Sequence, residues 1–241
     1  MNAQSLEKTV ARLAAQVEAL QKEVQNLKDI EAINRLQRAY GYYVEHMMGQ
    51  EIIDCFSRSD GVYLQWIEGR YNGQNGLHRY FDRMRDSFSH ELIHQVLQVS
   101  GIVTVAEDGL KAHGRWYAFG AVAVPVGDKV RENWENSIYE MEYVKEDGVW
   151  KMLGIKWNLN YWLDHATGLV KEGRRLTGPP PADAIKHTPD VFYDNDPRYP
   201  SGYIFPFHFP HPVTGKKTSE DKRNATINWA QHRLAWRKAK E

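Results

Sequence analysis

Along the first 27 residues the apolar positions are Leu6, Val10, Leu13, Val17, Leu20, Val24 and Leu27, alternating by four and three. A strict 3.5-residue period predicts a left-handed supercoil, and valine at a with leucine at d favours a parallel dimer. Glu23 and Lys28, at g and e, would pair across it. Ala14 at an e position broadens the seam and keeps a trimer open. The alternative is one amphipathic helix lying on its own domain. Residues 1–28 are read as a coiled-coil oligomerisation helix.

From residue 29 the pattern is that of a compact domain reaching to about 175. Ile30, Ile33, Leu36, Tyr40, Tyr43, Val44 and Met47 follow helical spacing, a short helix is expected over Glu51–Arg58, and Asn75–Ser87 carries a third stripe. Between the last two, a strand is expected around Val62–Ile67, followed by a turn at GRYNG. The period then changes to two. Stretches 95–105, 110–124, 130–145 and 149–162 are rich in β-branched and aromatic residues, with turns at 107–109, 127–128 and 146–148. Helices first and long antiparallel strands afterwards describe an α+β domain in which a curved sheet wraps over helices.

The remaining chain reads differently. Nine of the ten prolines fall within 176–217, where density of this kind argues against regular structure. Interleaved aromatics (Phe192, Tyr193, Tyr199, Tyr203, Phe205, Phe207, Phe209) predict an extended arm packed on a surface, able to reach a neighbouring subunit. Residues 218–241 open with a helix start at Thr-Ser-Glu-Asp and are locally basic, which is read as a solvated helix rather than a nucleic-acid site.

Composition narrows the function classes. The formal net charge is zero over 241 residues, so no global field recruits nucleic acid or an anionic membrane. No apolar run approaches the ~20 residues that span a bilayer, and the charged start lacks a secretory core. Cys55 is alone, which fits a reducing, cytoplasmic setting. Eight Trp, thirteen Tyr and eight Phe suggest a pocket for a ring-containing ligand.

One motif demands a decision. His90–His94 reads HELIH, a match to H-E-x-x-H, which on a helix places two imidazoles one turn apart to hold zinc. Strand-forming Gln95–Val99 follows at once, and no third ligand stands at the expected distance. Zinc is therefore not expected, and His90 is read as loop surface. The pair His208 and His211 is too little to hold a metal, and no phosphate loop, dinucleotide fingerprint or Cys/His cluster occurs. No cofactor is expected, which favours elimination or isomerisation by acid–base groups alone.

Residues 29–175 resemble the SnoaL-like branch of the nuclear-transport-factor-2-like superfamily. The resemblance is carried by IEAINRLQRAYGYYVEH, EIIDCFS, VYLQWIEGRYNG, HQVLQVSGIVTV, DGLKAHGRWYAFG and YEMEYVKEDGVWKMLGIKW, in the family's order. It implies a cone made of a curved antiparallel sheet over three helices, here with the coiled-coil helix ahead and the arm behind. The overall layout is similar to the γ-formaldehyde lyases of bacterial lignin-dimer catabolism, which release a terminal hydroxymethyl carbon as formaldehyde and leave a stilbene.

The resemblance also implies a site. His94 falls near the catalytic histidine of the family's dehydratases, which is paired with an aspartate five residues after a tyrosine. Tyr40 plus five is Glu45, longer than aspartate by one methylene, and a solvated helix end is the rival reading. Tyr43 could address a substrate oxygen or simply be core. Arg115 and Trp116 alternate, so one points into the cone; a guanidinium there would bind a phenolate or oxyanion. Tyr40, Trp66, Trp116, Trp134, Tyr139, Trp157 and Asn160 are expected along the cavity wall. The expected function is a cofactor-independent lyase acting on a lignin-derived aromatic dimer. The rivals are a dehydratase or isomerase of a smaller cyclic substrate and a non-catalytic binding module. The expected partners are a small aromatic substrate and further copies of the chain, with no nucleic acid and no membrane.

Overall fold

The computed structural model describes residues 3–66, 69–86, 91–168, 188–192 and 207–217. Helix α1 runs unbroken over Ala3–Glu45, so the heptad segment and the domain's first helix are one element. Its first part is rich in Ala, Leu, Glu, Gln and Lys, all strong helix formers, with neither glycine nor proline before Gly41. All seven heptad positions stand exposed on the single chain, from Val24 at 48% to Leu27 at 66%. Farther on, Ile33, Gln37, Tyr40 and Val44 repeat at helical spacing and are buried. Asp29 marks the change. Its carboxylate accepts from Trp150 Nε1 and Lys145 Nζ, both at 2.8 Å, pinning the helix where it enters the domain. Met47, with φ of 54°, ends the helix, and the Met48 N–H returns to the Tyr43 carbonyl at 2.9 Å.

Helix α2 (Gly49–Asp54) and helix α3 (Gly73–Asp86) complete the helical layer. Between them lie β1 (Tyr63–Gln65) and β2 (Gly69–Asn72). The expectation of a turn at GRYNG is corrected here: Gly69–Asn72 pairs antiparallel with β1. Four long strands follow, β3 (Ile93–Val105), β4 (Lys111–Val126), β5 (Lys129–Glu146) and β6 (Val149–Asp164). Each adjoins the next in an antiparallel meander, as the turn residues predict. The sheet is not wholly antiparallel, because β1 lies parallel to β6. The strand order is β3-β4-β5-β6-β1-β2-β7, closed by β7 (Val191–Phe192) of the arm.

The core lies between the concave face and the helices. Ile33, Ile52, Leu64, Leu77, Phe81, Met152 and Ile155 are almost wholly buried there. Each such side chain removed from water contributes about 1.5–3 kcal/mol before the entropic cost of ordering it. Val103↔Gly114↔Met141↔Ile155 is one row across that face, and Val96↔Gly120↔Glu135↔Trp162 is another nearer the open end. A β-bulge at Ser100–Gly101 bends β3. A Cβ on Gly101 or Gly114 would sit 2.1–2.8 Å from atoms of the Trp116 ring. Both glycines thus let that indole lie flat on the strands and fill the closed end.

Among the described residues the arm touches the domain in two places. The Asp190 carboxylate meets Arg79 and the Asn72 N–H, each at 2.6 Å, beside the β2–β7 pairing. Phe207 lies under the Arg115 guanidinium on the convex face, and His208 Nδ1 stands 3.4 Å from Glu140. Tyr193, Tyr199, Tyr203 and Phe205 of the arm and the expected C-terminal helix lie outside the described residues. Among the described residues no helix is long and apolar enough to cross a membrane.

Candidate functional site

Strand alternation decides what enters the cone. On β3, His94, Val96 and Gln98 face inward; on β4, Trp116, Ala118, Gly120 and Val122; on β5, Asn133, Glu135, Ser137 and Tyr139. Ala118 and Gly120 leave a channel floored by a methyl and bare backbone, flanked by polar side chains from β3 and β5. A Cβ on Gly120 would meet the Gln95 carbonyl at 1.7 Å, so this floor tolerates nothing larger. Above it, Gln37 of α1 donates to Gln98 Oε1 and accepts from Tyr143 Oη at 2.6 Å.

Aromatic rings wall the deeper part. Trp66 stacks on Tyr80 at 5.0 Å and meets Trp157 and Tyr139 edge-on at 5.3 and 6.2 Å. The Tyr40 and Tyr139 hydroxyls are hydrogen-bonded, and burial holds both phenols well above their ordinary pKa. Tyr143 is raised by burial as well. These phenols are neutral donors and acceptors rather than phenolates.

Two ionisable groups stand in this apolar setting without an ion pair among the described residues. Burial lowers the pKa of His94, and its Nδ1 is buried without a partner. Burial pushes the Glu135 carboxyl up to about 7, against a weaker opposing effect of the Ser137 hydroxyl, which donates to it at 3.3 Å. Trp66 Nε1, Trp157 Nε1 and Asn133 Oδ1 are likewise buried without partners among the described residues. Buried polar atoms are almost always hydrogen-bonded, so orphaned donors and acceptors gathered on one concave face describe a binding site.

The expected residues divide accordingly. His94, Tyr40, Trp66, Trp116, Tyr139 and Trp157 belong to the concave side, although Trp116 packs against Tyr143 and serves the closed end. Tyr43 is partly buried against the core, and Glu45 is half-buried at the end of α1. Three expectations are corrected. Arg115 is on the convex face, 2.5 Å from Glu140, because the Arg115–Trp116 alternation gives the inward place to the indole. Trp134 is also convex, stacked on Phe119 at 5.6 Å with its Nε1 bonded to His165. Asn160 is the extra residue of the β6 bulge, and its amide donates to convex-side Asn136 at 2.7 Å.

Glu135, Asn133, Gln37 and Gln98 were not singled out in the sequence. His94 stands on strand β3, which removes the helix that the HELIH zinc reading needs; His90 lies outside the described residues. Among the described residues no three His, Cys, Asp or Glu are grouped to hold a metal. The buried Cys55 thiol is pushed up to about 12 by burial and donates to the Glu51 carbonyl. It is an unreactive core group.

The sequence pattern of the SnoaL-like domain matches residues 25–156, more than half of the chain. No curated protein matches. Among solved structures, a candidate scytalone dehydratase from Novosphingobium aromaticivorans is 14% identical, over 59% of this chain and 91% of its own, with a TM-score of 0.51. A type 2 hexachlorocyclohexane dehydrochlorinase is 19% identical, over 59% of this chain and 92% of its own, with a TM-score of 0.50. At such identities the likeness shows a shared fold. The family pattern runs from α1 to Lys156 of β6 and takes in His94 and Glu135, and the chain belongs to the SnoaL-like family.

Proposed function

We propose that this protein is a cofactor-independent lyase acting on a lignin-derived aromatic dimer, releasing its terminal carbon as formaldehyde and leaving a stilbene. The observation that carries the reading is the concave site itself, where half-buried His94 and buried Glu135 stand without counter-charges among the described residues, beside a wall of Trp66, Tyr139 and Trp157. Apolar walls suit two aryl rings, and unpaired proton carriers suit elimination. Neighbouring folds described as a dehydratase and a dehydrochlorinase support elimination as the reaction type.

In a 1,2-diaryl-1,3-propanediol, the benzylic C–O bond breaks and its oxygen takes a proton to leave as water. The electron pair for this comes from the para-phenol, giving a quinone methide. The terminal hydroxyl then loses its proton, the C–C bond breaks, formaldehyde departs, and the freed pair restores the aromatic ring. One water, one formaldehyde and one stilbene balance the diol, with no oxidant. Arg115 faces away, so the hydroxyl pair Tyr40–Tyr139 is assigned the hydrogen bond to the phenol oxygen. The phenol's own proton passes to water as the quinone methide forms and is regained once the ring is restored.

The exposed heptad seam supports assembly of copies through α1. Incubation with a panel of lignin-type dimers, following formaldehyde and stilbene absorbance together, tests the reaction. Equimolar appearance of both is expected. Loss of water without formaldehyde would instead favour the dehydratase reading.

A further inference from the structure

We infer that Glu135 delivers the proton taken by the departing benzylic oxygen, while His94 receives the proton of the terminal hydroxyl. This rests on the lyase reading and divides its two proton transfers between two residues.

The argument begins with placement. Glu135 pairs with Gly120, and Gly120 with Val96; His94 pairs with Val122 in the next row. The two residues therefore rise from the same face on opposite flanks of the channel. Usual strand spacings put their Cα atoms about 12 Å apart. Side chains reaching inward from both flanks leave a gap of a few ångströms, comparable with the separation of two hydroxyls on carbons 1 and 3 of a propane chain. Nothing on β4 intervenes, since its inward residues here are Ala118, Gly120 and Val122. One imidazole serving both oxygens would have to cross that channel between steps.

The surroundings give each group its role. Among the described residues the polar groups near Glu135 are the Ser137 hydroxyl and buried phenols: Tyr139 on its own strand, with Tyr40 of α1 and Tyr80 of α3 close to Tyr139. On β6, Trp162 is its row partner, and Asp164 at the open end lies 4.0 Å from Arg131. On β3 the titratable group is His94, and on α1 Glu45 stands half-buried at the helix end. No cation among the described residues favours the carboxylate, so the neutral acid is the resting form below about pH 7. His94, lowered by burial, rests as neutral imidazole and offers a free ring nitrogen. Two groups whose surroundings hold one protonated and the other unprotonated form an acid–base pair with fixed roles.

The test uses the full chain and two variants, Glu135→Gln and His94→Ala. In infrared difference spectra of wild type against Glu135→Gln, a protonated-carboxyl band should titrate near pH 7. With a dimer that wild type converts, formaldehyde release should decline above about pH 7. Glu135→Gln should slow release by about 10²–10⁴-fold and abolish that decline. A dimer carrying benzylic acetate needs little protonation to lose its leaving group. Over the uncatalysed rate, it should restore most activity to Glu135→Gln and none to His94→Ala. A carboxyl band titrating near 4.5, equal rates for Glu135→Gln and wild type, or no selective rescue by the acetate would each overturn the assignment. No formaldehyde from wild type with any dimer would overturn the lyase reading and this role together, whereas the preceding outcomes leave that reading standing.

Discussion

On the convex face of the sheet, Arg115 meets Glu140 at 2.5 Å and Lys156 meets Glu142 at 2.8 Å. On the concave face, Glu135 and His94 have no opposite charge beside them among the described residues. Strand β5 carries members of both sets, and on it Glu135 is five residues from Glu140. Burial without pairing raises the energy of a charged form, so the concave groups rest neutral and ready to exchange protons. The paired groups tie neighbouring strands to one another. The arm's His208 joins the paired side through Glu140.

The sharpest way to break this contrast is to truncate one group on each face. His94→Ala should reduce formaldehyde release by about 10²–10⁴-fold. Thermal unfolding should be nearly unchanged, since the substitution removes an unpartnered buried nitrogen rather than a bond. An active His94→Ala enzyme would remove His94 from the chemistry. Arg115→Ala should do the reverse. Its removal leaves Glu140 buried with less compensation, at a cost of about 3–5 kcal/mol in denaturant unfolding. Turnover per folded molecule should stay within about threefold; a hundredfold loss would mean that the convex face takes part in catalysis.

Stability against pH sharpens the comparison further. The folded pKa of Glu135, about 7, lies above the ordinary 4.5, so between these values the native state holds a proton that the unfolded chain has lost. Stability therefore falls as pH rises through this window, by up to about 3 kcal/mol. Glu135→Gln should lift that penalty, unfolding later than wild type at pH 8 and together with it at pH 4. Coincident curves at pH 8 would mean that the carboxylate is well solvated.

The smallest effect on either face should come from deleting residues 1–27. Mass by light scattering should drop on dilution, because the seam stands exposed and has no partner among the described residues. The cone's turnover should remain. An unchanged mass across a wide dilution series would separate assembly from the heptads.

Much of this architecture was legible because burial writes its period into the chain. The four long strands follow two-residue alternation, and their turns fall at glycine-bearing stretches of two or three residues. Alternation fixed Arg115 and Trp116 on opposite faces but could not say which faced inward; that depends on where α1 docks, a contact between distant segments. For Glu135 a signal was present. Counting back by twos from Met141 through Tyr139 and Ser137 reaches Glu135 on the apolar face. It was hidden by its neighbours Asn133 and Asn136, which make the stretch read as solvated. Strand β2 was illegible for another reason: GRYNG has turn-forming residues and becomes a strand through its partners β1 and β7. Asn160 moved to the other face because a bulge shifts the count by one.

The unbroken course of α1 fixes an angular phase as well as a connection. Each helical residue turns the chain by about 100°, so the bearing of the heptad seam dictates the bearing of Gln37 and Tyr40 over the channel. A single residue inserted between Lys28 and Asp29 would leave the composition of both halves intact. It would nevertheless swing the seam by about 100° around the cone and lengthen the shaft by about 1.5 Å. In an assembly joined through that seam, the direction in which each cone opens relative to its neighbours is therefore geared to the helix, tooth by tooth.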